Sequence, residues 1–175
     1  MVLRTQPENY RTMVDWYVNF LGGHVVWGND SISFITYDDE HHRIAITGRP
    51  GTNPRGGSAA STVGLAHIAF AYDNLTELCV TYLQRQKLGI HPSWCVNHGM
   101  TTSMYYADPD GNEVETQVDH FDTSEEATEY MKTEAFTKNP LGVDFDPEEL
   151  INRVERGEDL AEIYKRPDIG PRTKR

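Results

Sequence analysis

Apolar residues recur at Tyr10, Met13, Val14, Tyr17, Phe20 and Leu21. These steps of three and four predict an amphipathic helix from about Pro7 to Leu21. Pro7 suits its first turn and Gly22-Gly23 its end. Short runs with strand character follow: Val25-Val26-Trp27, Ile32 to Tyr37, and Arg43 to Thr47. The second alternates apolar and polar at its start, as a half-buried strand does. Gly48 to Thr62 is rich in Gly, Pro, Ser and Thr and reads as a linker. The pattern then recurs. Leu65 to Ala71 reads as a strand, and Leu75, Leu78, Cys79, Tyr82 and Leu83 share one face of a helix ending near Gly89. Trp94 to Val96, Thr102 to Tyr106 and Glu113 to Val118 supply three more strands, with a tight turn at Asp110-Gly111-Asn112. The expectation is an α+β domain over residues 1–118. It holds two βαβββ units, about 1–48 and 64–118, in a curved mixed sheet with helices outside.

From Asp119 the character changes. Residues 123–133 and 147–165 read as helices, with Asp146-Pro147-Glu148-Glu149 a helix start. Residues 119–175 are therefore expected to form a helical C-terminal arm over the core or a partner subunit, frayed from about Lys165. No motif with catalytic character falls within it.

Composition narrows the function classes. With 38% hydrophobic and 25% charged residues over 175 positions, the chain has the balance of a globular domain. A net charge of -11 speaks against a nucleic-acid surface and against a basic membrane-surface helix. No apolar run is long enough to span a bilayer, and no secretory signal opens the chain. Cys79 and Cys95 are isolated and form neither a zinc pattern nor a disulfide framework. A cytoplasmic setting is the expectation.

Chemistry concentrates in the second unit. His67 stands mid-strand in Leu65-Ala66-His67-Ile68-Ala69-Phe70, and Glu115 mid-strand in Val114 to Val118. Alone, such a histidine is more often a satisfied core residue, and such a glutamate a solvent-facing one. Together they form a neutral imidazole and a carboxylate on strands of one sheet, a donor pair suited to Fe(II) or Mn(II). His98, in Asn97-His98-Gly99, has a side chain whose ordinary titration near neutrality suits proton transfer. Tyr105 could donate a hydrogen bond to a bound oxygen. Tyr105 and Tyr106 are strand neighbours, so only one can face a site. In the first unit, His41-His42 precedes a strand, and one of the two could point into the sheet.

These residues carry a resemblance. Val96-x-His98, five residues, Met104-Tyr105-x-x-Asp108-Pro109-x-Gly111-x-x-x-Glu115 resembles the signature of the extradiol ring-cleavage dioxygenases within the vicinal-oxygen-chelate superfamily. Glu40 to Ala45 is similar to that family's paired-histidine segment. The likeness covers about residues 2–118. It implies two histidines and one carboxylate on Fe(II), with a catechol-type aromatic diol and dioxygen as partners. His67 and Glu115 would be metal ligands, His42 the acid/base, and His98 and Tyr105 would hold the oxygens. Phe34, Tyr37, Phe70, Trp94 and Tyr106 are expected to line the pocket, and a homo-oligomer is expected.

One donor is missing from this pattern. His67 stands eight residues before Leu75, and the same offset from Pro7 or Glu8 lands at or just before Met1. A start further upstream is the expectation, with metal binding impaired in the chain as it stands. His24 is a poor substitute, and His41 would be an unusual donor. A glyoxalase-like isomerase would want a carboxylate from each unit, yet Ile46 to Gly48 offers none. A metal-free binding module leaves His67 and Glu115 unexplained but the missing donor natural.

Overall fold

The computed structural model describes residues 1–57 and 63–174. The expected linker therefore falls partly outside the described residues, at 58–62. The chain groups into two compact units. One comprises 1–68 with 87–90 and 107–114; the other comprises 69–86, 91–106 and the residues from Glu115 onward.

The first unit is built on a four-stranded sheet. Its strands are β1 (Val2–Thr5), β2 (His24–Gly28), β3 (Ile32–Thr36) and β4 (Ile44–Gly48), in the order β1-β4-β3-β2. β1 runs parallel to β4 and the other pairs are antiparallel. The expected helix is present as a 3-10 turn, Pro7–Asn9, leading into α1 (Tyr10–Leu21). Its buried residues are Tyr10, Met13, Val14, Tyr17 and Phe20, the stripe read from the sequence. Burying five such side chains contributes on the order of 10 kcal/mol before chain entropy is counted. The Tyr10 hydroxyl lies 2.6 Å from Ser33 Oγ, which marks Ser33, Ile35, Ile44 and Ile46 as the α1 side of the sheet. Val2, paired with Ala45, lies on the other face and is 67% exposed.

The turn at 107–114 belongs to this unit, and Asp108 organises it. Its Oδ1 accepts from the N–H groups of Asp110 (3.0 Å) and Asn112 (2.8 Å); its Oδ2 accepts from Asn112 Nδ2 (2.7 Å) and the Tyr17 hydroxyl (3.0 Å). Burial pushes the Asp108 pKa up, and these hydrogen bonds oppose the rise. Burial and the neighbouring carboxylate hold the Tyr17 hydroxyl protonated. The Asp108-Pro109-x-Gly111 part of the signature is thus structural: it fastens the turn to α1. Asp108→Ala strands two part-buried N–H groups and a buried phenol. It is expected to cost about 2–4 kcal/mol, read as a fall in the urea midpoint.

A five-stranded sheet, most of whose residues lie in the second unit, is made of β5 (His67–Ala71), β6 (Trp94–Asn97), β7 (Thr101–Ala107), β8 (Glu113–Asp119) and β9 (Val143–Asp144). Their order is β5-β8-β7-β6-β9. α2 (Leu75–Lys87) buries Leu75, Leu78, Cys79, Tyr82 and also Arg85. The Arg85 guanidinium lies over the Tyr106 ring (5.4 Å) and donates to the Tyr72 hydroxyl (2.6 Å). Tyr106 therefore faces α2, with Met104 and Cys95 on the same side of the sheet. Phe70 shares the Tyr72 side of its strand by alternation. Both aromatics were expected to line a pocket on the opposite face. The strand period and the buried arginine put them on the helix side.

The C-terminal segment is more broken than its periodicity suggests. α3 (Ser124–Met131) opens on a capping box of Thr123 and Glu126, and Thr133 then caps α4 (Glu134–Lys138). α5 (Pro147–Glu155) starts where read, capped by Asp146, and α6 (Leu160–Tyr164) restarts at a second cap, Asp159. Each cap offers the backbone an oxygen in place of an intrahelical carbonyl, which divides a continuous stripe into short helices. β9 pairs with β6, Asn97 opposite Val143. The end is not frayed through 172. Arg166 donates to three backbone carbonyls, and Arg172 forms an ion pair with Asp144 at 2.8 Å. Among the described residues no helix is long and apolar enough to cross a membrane.

Candidate functional site

The β6–β7 hairpin brings three of the singled-out residues together. Register sets Trp94 opposite Tyr105, and cross-strand partners share a face. Their rings stack at 4.9 Å. The next turn carries His98, whose N–H bonds to the Thr101 carbonyl (2.9 Å). His98 Nε2 lies 3.1 Å from the Tyr105 hydroxyl, and the ring meets Trp94 edge-on at 5.7 Å. The Trp94 indole N–H donates to Asp144 Oδ1 (2.7 Å). The result is an imidazole and a phenol set on an aromatic wall, with Tyr106 turned away, as the two-residue strand period requires.

Two glycines allow the His98 loop its close packing. A Cβ on Gly99 (φ +92) would fall within 2.0 Å of the Tyr130 hydroxyl, and one on Gly142 (φ +93) within 2.2 Å of the Asn97 carbonyl oxygen. Asn97 donates from Nδ2 to the Tyr164 carbonyl (3.0 Å) and accepts the Gly99 N–H (2.7 Å).

Behind the loop lies a histidine that the sequence did not single out. His120 Nδ1 is 3.0 Å from the Gly99 carbonyl oxygen, which can only accept, so Nδ1 carries the proton. Nε2 then accepts from Thr102 Oγ1 (2.8 Å), and the ring stacks on Tyr164 at 4.0 Å. Burial lowers its pKa from 6.5 to about 4. A histidine held neutral in the fold and protonated when unfolded stabilises fully above about pH 6.5. That contribution is lost as pH falls towards 4. The loss is on the order of 3 kcal/mol. Chemical denaturation between pH 7 and 4 is expected to show this slope, and His120→Gln to flatten it.

The other predicted residues are placed as follows. His67 opens β5, on the face of Ala69 and Ala71 and away from Ile68 and Phe70. Glu115 lies within β8, 4% exposed; alternation sets it with Glu113 and Gln117 and away from Val114, Thr116 and Val118. β5 and β8 are neighbours in the sheet. The His41 and His42 rings meet edge-on at 4.4 Å but differ in exposure. His41 is exposed beside Glu40 (3.5 Å), whereas His42 is half-buried against Phe34, ring centres 4.8 Å apart. Phe34 also meets Trp27, at 5.8 Å. His24 is exposed on β2. Burial pushes the Cys79 and Cys95 thiols up to about 11 and about 12, so neither is a ready thiolate donor.

The donor set is short for iron. Among the described residues no three His, Cys, Asp or Glu side chains gather as a metal-holding group. His67 and Glu115 have the right chemistry but are two donors where a facial set wants three. β1, the counterpart of β5, offers none: it reads Val2-Leu3-Arg4-Thr5. Counting back eight residues from Tyr10, where α1 begins, gives Val2, as eight back from Leu75 gives His67. Val2 also keeps the face. It lies opposite the α1 side of its sheet, as His67 lies opposite the Tyr72 side of its own.

Known proteins agree with this architecture. The family model described as the Glyoxalase/Bleomycin resistance protein/Dioxygenase superfamily matches residues 5–116. Biphenyl-2,3-diol 1,2-dioxygenase 3 of Rhodococcus globerulus is 44% identical over 164 residues, 92% of this chain and 84% of its own. Biphenyl-2,3-diol 1,2-dioxygenase 2 of the same organism is 45% identical over 143 residues, 81% and 74% of the two chains. Among solved structures, a glyoxylase/bleomycin resistance protein/dioxygenase domain from Frankia sp. EAN1pec superposes with a TM-score of 0.56 at 15% identity, covering 72% of this chain and 93% of that one. A glyoxalase/dioxygenase from Nostoc punctiforme gives 0.54 at 17%, covering 69% and 89%. Two βαβββ units, a family match over most of their length and relatives alike at nearly every second residue lead to one conclusion: the chain belongs to the Glyoxalase/Bleomycin resistance protein/Dioxygenase superfamily.

Proposed function

We propose that this protein is an extradiol-type dioxygenase, opening the ring of a catechol-type aromatic beside its diol with dioxygen. The observation that carries this reading is its 44% identity with a biphenyl-2,3-diol 1,2-dioxygenase along 92% of the chain. The His98–Tyr105 pair on the Trp94 wall supports it, since a planar diol needs an aromatic surface and polar groups that can hold two oxygens. His67 and Glu115 would hold Fe(II), with Mn(II) fitting the same donors. Iron, when bound, supplies the electron exchange between diol and dioxygen. His42 would take a diol proton, while His98 and Tyr105 would share a proton and hydrogen-bond the substrate oxygens. The same reading expects a homo-oligomer in the cytoplasm. It takes residues 1–118 as the catalytic domain and 119–175 as its extension.

A second reading rests on a specific observation. With no three-donor group among the described residues, a metal-free binding module of the same fold would need neither His67 nor Glu115 as ligands. Oxygen uptake separates the two. The chain is loaded anaerobically with Fe(II) and mixed with 2,3-dihydroxybiphenyl, with His67→Ala beside it. Uptake with a ring-opened yellow product, lost in the variant, supports the dioxygenase. Tight binding of the diol without uptake, unchanged in the variant, sinks it in favour of the binding module.

A further inference from the structure

The C-terminal segment has no motif of its own, yet it grips the turn that carries His98. Arg166 donates through one guanidinium nitrogen to the carbonyls of His98 (3.0 Å) and Asn139 (2.7 Å), and through the other to that of Ala135 (2.8 Å). Its guanidinium lies over the Tyr130 ring at 5.7 Å. Ala135 lies in α4 and Asn139 caps its end, so the cation also meets the negative end of that helix. Tyr130 in turn fills the space over Gly99 that a Cβ would need. One planar, permanently charged group therefore ties the His98 main chain to α3, α4 and the end of the chain. Lysine, a point charge on a flexible stem, cannot span three carbonyls in this way.

The other side of the histidine is held from the same segment. Asp144 in β9 accepts the Trp94 N–H and pairs with Arg172, whose guanidinium lies 5.9 Å over the Trp94 ring. Trp94 stacks on Tyr105, and Tyr105 meets His98 Nε2. Arg166, 68 residues further along, holds the main chain of His98, while Arg172 and Asp144 of the neighbouring β9 hold the Trp94 wall beside its ring.

We propose that Arg166 is a positioning residue, holding the His98 turn so that the imidazole stays on the Tyr105 hydroxyl, and that the C-terminal segment is in this way part of the active site. The catalytic half of this inference rests on the dioxygenase reading; the geometric half does not. Misplacing an acid/base group by about an ångström can cost up to 10²-fold. Arg166→Met is therefore expected to lower kcat for oxygen uptake by about 10–100-fold, with KM for the diol changed by less than about threefold.

Two readouts separate positioning from general support. The first is the through-space NMR cross-peak between the His98 and Trp94 rings, assigned by its loss in His98→Asn. Arg166→Met should weaken it while Arg166→Lys leaves it intermediate. The second is the His98→Asn background, where Arg166→Met should have no more than about a twofold further effect. An unchanged cross-peak, or an undiminished penalty in the His98→Asn background, overturns the proposal. Should Arg166→Met fail to fold, Arg166→Lys carries the same two readings, and an unchanged cross-peak again overturns it. If no form of the chain consumes oxygen, the dioxygenase reading falls, while the cross-peak still decides the role of Arg166.

Discussion

Glu115→Ala is expected to bring oxygen uptake down to the level of the metal-free protein and to weaken Fe(II) binding at least about 100-fold. Glu115 is a carboxylate buried in the middle of a strand, 4% exposed, and is one of the two donors that the proposed site draws on. In the proposed site it is the sole anionic donor, and a single imidazole, His67, cannot hold a divalent cation against water. Glu115→Gln keeps the shape and the burial but removes the charge, so it should fold as the parent does and bind iron nearly as poorly. Anaerobic titration with Fe(II), followed by metal analysis of the desalted protein, measures both. Iron held equally by parent and alanine variant would remove Glu115 from the metal site.

The sequence carried the site and the fold to different depths, for physical reasons. Helices α1 and α2 were legible because their core contacts repeat every three to four residues, and β7 and β8 because a short turn with Asp110-Gly111-Asn112 joins them. The His98–Tyr105 pair was legible as spacing: a turn and seven residues of hairpin necessarily bring them near each other. What the sequence hid are contacts between distant positions. Nothing near Arg166 indicates that it bonds the His98 carbonyl, and β9 is two residues long, too short for any period. No motif marks Asp144 or His120, and only packing shows one bonded to the Trp94 N–H and the other neutral against the Gly99 carbonyl. The opposite error has the same origin. Phe70 and Tyr106 looked like pocket walls because they are aromatic, but each is one residue out of phase with the site face, and Arg85 is the polar partner that lets Tyr106 sit inside.

His98→Asn is expected to lower kcat by about 10²–10⁴-fold, the range that a positioned acid/base group contributes. Asparagine can still hydrogen-bond the Tyr105 hydroxyl but cannot carry a proton at neutral pH, so it separates proton transfer from orientation. Tyr105→Phe isolates the second function. It keeps the ring stacked on Trp94 and deletes only the hydroxyl, and about tenfold is the expected loss. Because the two groups touch at 3.1 Å, the double variant should lose less than the product of the single losses. Iron content must be equal in all four proteins, so each rate is taken per bound metal. Should His98→Asn retain the parent kcat, the imidazole has no part in the chemical step. Should the losses simply multiply, the Tyr105–His98 hydrogen bond has no part in it, and the two groups act on the substrate independently.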